Sequence, residues 1–115
     1  MNKFFNFLGI AKKSGSLIEG YSKCDDMRNK SKIYLFIMSE DLSESSKEKF
    51  VKHCKEKEIP YIVDFSKFEL GNAIGRNEIM ILGICDKNIA DKLLMLYEEE
   101  NIWVEINTGV TTCQK

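Results

Sequence analysis

The 115-residue chain contains a single proline, Pro60, a single histidine, His53, and a single tryptophan, Trp103. One histidine rules out any site built on a histidine pair, and leaves few ways to assemble a nucleophile with its base. No run of about 20 apolar residues occurs, so no membrane-spanning helix is expected. The apolar N-terminal segment is cut short by Lys12 and Lys13 and lacks a small-residue cleavage site, so it does not read as a secretory signal. A soluble, cytoplasmic protein is the expectation. Cys24, Cys54, Cys85 and Cys113 include no CxxC pair, which argues against a zinc knuckle. They read as reduced cysteines, with Cys54 and Cys85 as small core residues. Gly9, Gly15 and Gly20 match neither common phosphate-loop pattern.

What is present is an ordinary globular composition, 43% apolar and 30% charged, in a length that suits one domain. The net charge of −1 excludes a uniformly cationic binder, but the charge is uneven. Residues 1–32 carry seven Lys or Arg against three Asp or Glu, whereas the remainder carries ten against fifteen. A basic N-terminal third can guide a polyanion to one face. The alternative is an unevenly charged but merely solvated surface.

Periodicity predicts helix over residues 2–13, where Phe4, Phe7, Leu8 and Ala11 recur at helical spacing and Gly15 ends the run. A short extended piece at 16–19 and a helix from Gly20 to about Asn29 follow. Ile33–Met38 is continuously apolar, as in a strand covered on both faces. Asp41 or Ser43 can cap a polar helix reaching about Glu58, with Phe50, Val51 and Cys54 inward. Residues 59–63 predict a second strand, Ser66 caps a short helix ending near Gly75, and 78–85 is a third buried strand. Asp86 caps a last helix through Ile89, Ala90, Leu93, Leu94 and Tyr97. This alternation predicts a three-layer α/β/α sandwich. Residues 1–100 are expected to form the domain and 101–115 a tail, with an edge strand at Trp103–Ile106 and disorder beyond Gly109.

Nothing here favours an enzyme. His53 lies among charged helix residues and reads as solvent-facing, about 100° around the helix from Cys54. The acidic pairs and triplets at 25–26 and 98–100 read as solvated faces. No catalytic residue, metal site, cofactor or small-molecule substrate is expected.

The segments NFLGIAKKSGSLIEG, IYLFIMSED and SKFELGNAIG, followed by the strand EIMILGICD, resemble the kink-turn RNA-binding ribosomal protein seven-Ae and thirty-e family. The similarity is to its bacterial YlxQ-type branch and spans residues 4 to about 95. It implies a mixed sheet in an α/β/α sandwich, no enzymatic activity, and RNA as partner. It also implies two contact places: a Gly-x-Asn-Glu stretch opening the second helix, with a lysine further along, and the loop after an LGxAxG turn.

Gly20, Gly71 and Gly75 match these patterns, and Arg76, Asn77 and Glu78 form the loop. Ser22 stands where asparagine is usual, Lys23 where glutamate or glutamine is usual, and Asp26 where lysine is usual. Ser22 has shorter reach and one donor, and Asp26 repels a phosphate backbone, so base readout should weaken. Two readings follow. One is an RNA-binding protein, associated with ribosomal or other structured RNA, with relaxed kink-turn specificity. It would use Gly20, Ser22, Lys23, Gly75, Arg76 and Asn77, with Lys12, Lys13, Arg28, Lys30 and Lys32 on phosphates. The other is a family member that has lost tight RNA binding and acts through protein contacts.

Overall fold

The four apolar residues Leu35–Met38 form a strand whose every side chain is buried, as a strand needs when helices cover both faces of its sheet. A computed structural model describes residues 2–108 and 113–114, with side chains from Lys3 to Glu100. In chain order the elements are α1 (Asn2–Lys13), β1 (Leu17–Glu19), α2 (Tyr21–Met27), β2 (Leu35–Met38), α3 (Glu44–Lys57), β3 (Tyr61–Val63), α4 (Lys67–Ala73), β4 (Ile81–Ile84), α5 (Lys87–Thr108) and β5 (Cys113–Gln114). The sheet order is β1-β4-β2-β3-β5. β2 runs parallel to β3 and antiparallel to β4, so the sheet is mixed.

Side chains alternate across the strands into two cores. Leu35, Ile37, Ile62, Leu82 and Ile84 meet Phe4 and Leu8 of α1, Leu70 of α4, and Ala90 and Leu93 of α5. On the opposite face Phe36, Met38, Tyr61 and Ile81 meet Cys24 of α2 and Phe50 and Cys54 of α3. The result is the three-layer α/β/α sandwich that the alternation predicts.

Local chemistry sets the boundaries. Ser43 caps α3 through the Ser46 amide, and Ser66 with Glu69 closes a full capping box on α4. The Asp86 carboxylate accepts from the Ile89 amide at 3.0 Å where α5 begins. The strands are shorter than the apolar runs: Ile33 is buried but precedes β2, and Ile79 and Met80 precede β4.

Two expectations are corrected. The edge strand expected at Trp103–Ile106 is helix, because α5 continues to Thr108. No glycine or proline interrupts residues 87–108, and adding a residue to an existing helix costs little. The strand closing the β3 edge is instead Cys113–Gln114, which pairs with Ile62 and Tyr61. Residues 109–112 and 115, part of the tail expected to be disordered, lie outside the described residues.

The second correction concerns His53, which is only 4% exposed. On a helix it shares a face with Phe50, one turn earlier, and that phase prevails over its charged neighbours. Its ring meets Phe36 edge-on. Arg28 Nη1 donates to Nδ1 at 3.5 Å, and Nε2 is buried without a hydrogen-bond partner among the described residues. Burial first, then the positive charges of Arg28 and Lys57, hold its pKa below the ordinary 6.5, against the opposing pull of Glu56.

A depressed histidine pKa means the folded state binds fewer protons than the unfolded state. Its stability contribution is therefore intact above pH about 6.5 and is lost as pH falls through the folded-state value. Melting temperature should fall as pH drops from 7 towards 5.5, a range in which no other histidine titrates. The His53→Leu variant should hold steady there, and thermal melts of both proteins across that range check it.

Candidate nucleic-acid interface

The candidate site begins where β1 ends. Gly20 has φ 94° and ψ 161°, a conformation open to glycine and almost nothing else. It lets the chain turn from the sheet edge directly into α2. The Gly20 amide donates to the Ile81 carbonyl at 3.0 Å, and its own carbonyl accepts the Cys24 amide. Gly20 offers no side chain to cap α2, so among the described residues the first-turn N–H groups have no side-chain acceptor and carry the partial positive charge of a helix start.

The facing wall is the loop after α4. A Cβ on Gly71 would lie 2.6 Å from the Glu78 Cα, so only glycine lets the loop lie this close to α4. The Arg76 amide donates to the Gly71 carbonyl at 2.8 Å, and the Ile79 amide to the Lys67 carbonyl. Between the walls is an open cleft of about 580 Å³ lined by Glu19, Gly20, Ser22, Lys23, Arg76 and Glu78, among others.

The carboxylates around the cleft are paired. Glu19 is gripped by Lys12 through Oε2, and by Arg76 Nε, which donates to Oε1 at 2.6 Å. Burial pushes the Glu19 carboxyl up, but the hydrogen bonds from Lys12 and Arg76 outweigh it and hold the group below its usual range. Glu78 pairs with Lys67 at 3.2 Å and Asp26 with Lys30 at 3.1 Å. Asp25 turns toward α3, and hydrogen bonds from Lys49 there and from Arg28 at the end of α2 keep its carboxyl below the ordinary value. Lys23 is exposed and makes no ion pair among the described residues.

The structure thus brings together Gly20, Ser22, Lys23 and Arg76, with Lys12 joined through Glu19. Gly75 (φ 75°) and Asn77 lie in the same loop as Arg76, and Lys13 is exposed on the last turn of α1. Arg28 and Lys32 do not join them. With Asn29, Ser31 and Lys57 they line a separate cleft of about 280 Å³ at the other end of α2. Lys30 is tied to Asp26.

Tyr21 and Glu19 are cleft residues that sequence reasoning misses. Tyr21 sits beneath Lys49, whose Nζ is 4.7 Å from the ring centroid. Its aromatic character at the glycine turn is a usable signal. Glu19 carries none, because its partner Arg76 is brought to it only by the fold.

Burial pushes the Cys24 and Cys54 thiols up to about 12, which keeps them protonated and inert. Among the described residues no group of three His, Cys, Asp or Glu could hold a metal, and no helix is long and apolar enough to cross a membrane.

A mixed sheet between helix layers, with a glycine-opened helix facing a glycine-supported loop, defines the class. The chain matches the ribosomal protein L7Ae/L30e/S12e/Gadd45 family over residues 2–94, and it belongs to that family. Among its relatives is the RNA-binding protein YlxQ of Enterococcus faecium, 32% identical over 84% of this chain and 92% of that protein. The RNA-binding protein YlxQ of Bacillus subtilis (strain 168) is 24% identical over 84% of this chain and 96% of its own length. A solved protein of unknown function from Bacillus halodurans C superposes with a TM-score of 0.79 at 28% identity, covering 84% of this chain and 97% of that one. The Giardia lamblia 15.5kD RNA binding protein shares the fold, with a TM-score of 0.68 at 19% identity, over 83% of this chain and 84% of that one.

Proposed function

We propose that this chain is a non-catalytic, cytoplasmic RNA-binding protein that holds structured or ribosomal RNA against the cleft between α2 and the loop after α4. The observation that carries this reading is the convergence of Gly20, Ser22, Lys23 and Arg76 on one cleft. An open helix start and two cations there suit a phosphate backbone. Ser22 and Asp26 in place of longer-reaching or cationic groups make the preference for kinked RNA modest. The carboxylates of Glu19 and Glu78 in the cleft, with Asp26 on the adjoining surface of α2, favour the alternative, a surface that has turned to protein partners. Titrating a kinked RNA and a plain duplex at two salt concentrations separates the readings. Binding that weakens steeply with salt supports the first, and none even at low salt supports the second.

Asp26→Lys should tighten RNA binding several-fold. The change removes one repulsion, adds one attraction, and releases Lys30 from its ion pair. Exposed charges of this kind each contribute about 0.2–1 kcal/mol. Lys23→Glu should weaken binding through the same surface. Both positions are exposed, so melting temperatures should hardly move. Affinities that stay fixed in both variants would place the RNA elsewhere.

A further inference from the structure

Glu19 is the least accessible charged group at the cleft, its side chain 15% exposed, and it is held by cations from two other elements. Its backbone is fixed in β1 opposite Leu82, so the carboxylate has a defined place at the cleft wall. One oxygen faces the Lys12 ammonium at the end of α1, and the other faces the Arg76 guanidinium on the loop after α4. The two cations are themselves more open, with side chains 35% and 54% exposed.

Two oxygens sharing one negative charge, each turned to a cation, is also what the non-bridging oxygens of a phosphodiester present. Without the carboxylate, Lys12 and Arg76 would converge as like charges at the wall of a cleft that Lys23 also lines. They would form a strongly cationic corner where α2 begins.

We infer that Glu19 is a built-in competitor for RNA phosphate: its carboxylate occupies, between Lys12 and Arg76, the position a backbone phosphate takes in the complex. This rests on the RNA-binding reading above and adds a regulator to that same site. An incoming phosphate must displace the internal anion before it gains either cation. The protein therefore binds RNA more weakly than its basic residues alone would allow. Arg76 is already engaged by Glu19 in the free protein, so part of its attraction for RNA is offset by the ion pair it gives up.

The test is a double-mutant cycle, read by titrating a kinked RNA hairpin and a plain duplex against the full chain. Glu19→Gln keeps the side-chain shape and removes the charge. It should tighten binding of the kinked hairpin by about three- to tenfold at low salt, and steepen the salt dependence by about 0.9 for the one phosphate newly neutralised. Arg76→Met should weaken binding in the natural background, and weaken it by a clearly larger factor in the Glu19→Gln background, where it erases the gain. That non-additivity is something a purely structural carboxylate would not produce.

Should Glu19→Gln fail to fold, Glu19→Thr removes the same charge with a residue suited to a strand. If the natural protein binds RNA and the variants bind equally or more weakly, the competitor role is overturned while the RNA-binding reading stands. RNA binding by the variants alone supports it. No binding by any of these proteins overturns both.

Discussion

Leu35→Asp should leave the chain unfolded under conditions where the natural protein is folded. Leu35 is fully buried in the central strand, facing the layer of α1, α4 and α5, and lies opposite Ile84 of β4. Among the described residues the core offers an aspartate there no cation to pair with. Burying an unpaired charge costs several kcal/mol, comparable with the roughly 5–15 kcal/mol that holds a small domain together. Ile81→Asp should do the same from the opposite face, where Ile81 is fully buried in the core with Phe36, Phe50 and Cys54. Phe68→Asp is the control: that ring is 55% exposed, and the variant should fold. Circular dichroism and thermal melts of the three variants check the prediction, and a cooperative melt of Leu35→Asp would overturn the assignment of β2 as the central strand.

Gly71→Ala should have the next largest effect, and it couples stability to the candidate site. The added methyl would stand 2.6 Å from the Glu78 Cα and 2.7 Å from its nitrogen, and backbone cannot swing aside as a side chain can. The loop must lift from α4, at a cost of about 1–3 kcal/mol typical of overpacking. A loss of this size lowers the melting temperature by several degrees in a domain of this length. Lifting the loop also withdraws Arg76 from Glu19, so RNA affinity should change together with stability. Gly75→Ala provides the comparison, since the space around Gly75 is open and only its φ of 75° opposes a side chain. Its effect should be smaller and confined to the turn.

Much of the architecture was legible because it depends on short-range rules. The period of Phe4, Leu8 and Ala11, the caps at Ser43, Ser66 and Asp86, and the continuous apolar run ending at Met38 each specify local structure with little help from elsewhere. His53 shows where composition misleads. Charged neighbours suggested water, but its spacing from Phe50 decided its burial.

The candidate site was half legible for a related reason. Glycines reveal backbone demands, so Gly20 and Gly71 could be singled out in the sequence. Charges reveal nothing about their partners. Lys12, Lys23, Arg28, Lys32 and Arg76 look alike in the sequence, yet the fold sends Arg28 and Lys32 to one end of α2 and brings Lys23 and Arg76 to the other, with Lys12 joined through Glu19.

The pairing of β1 with β4 also governs when the cleft can exist. Ile18 lies beside Gly83, so one wall belongs to the beginning of the chain and the other precedes the strand that fastens it. A nascent polypeptide that has emerged only as far as α3 carries Gly20 and Lys23 but no opposing loop, and cannot yet grip a ligand between them. Loop-closure entropy makes so distant a pairing late to form, and a three-residue edge strand is among the first pieces to open again. Any molecule seated in the cleft touches both walls, and so acts as a clasp on an edge seam of the sheet. Amide hydrogen exchange at Ile18 and Gly83 would feel its presence before the central strands did.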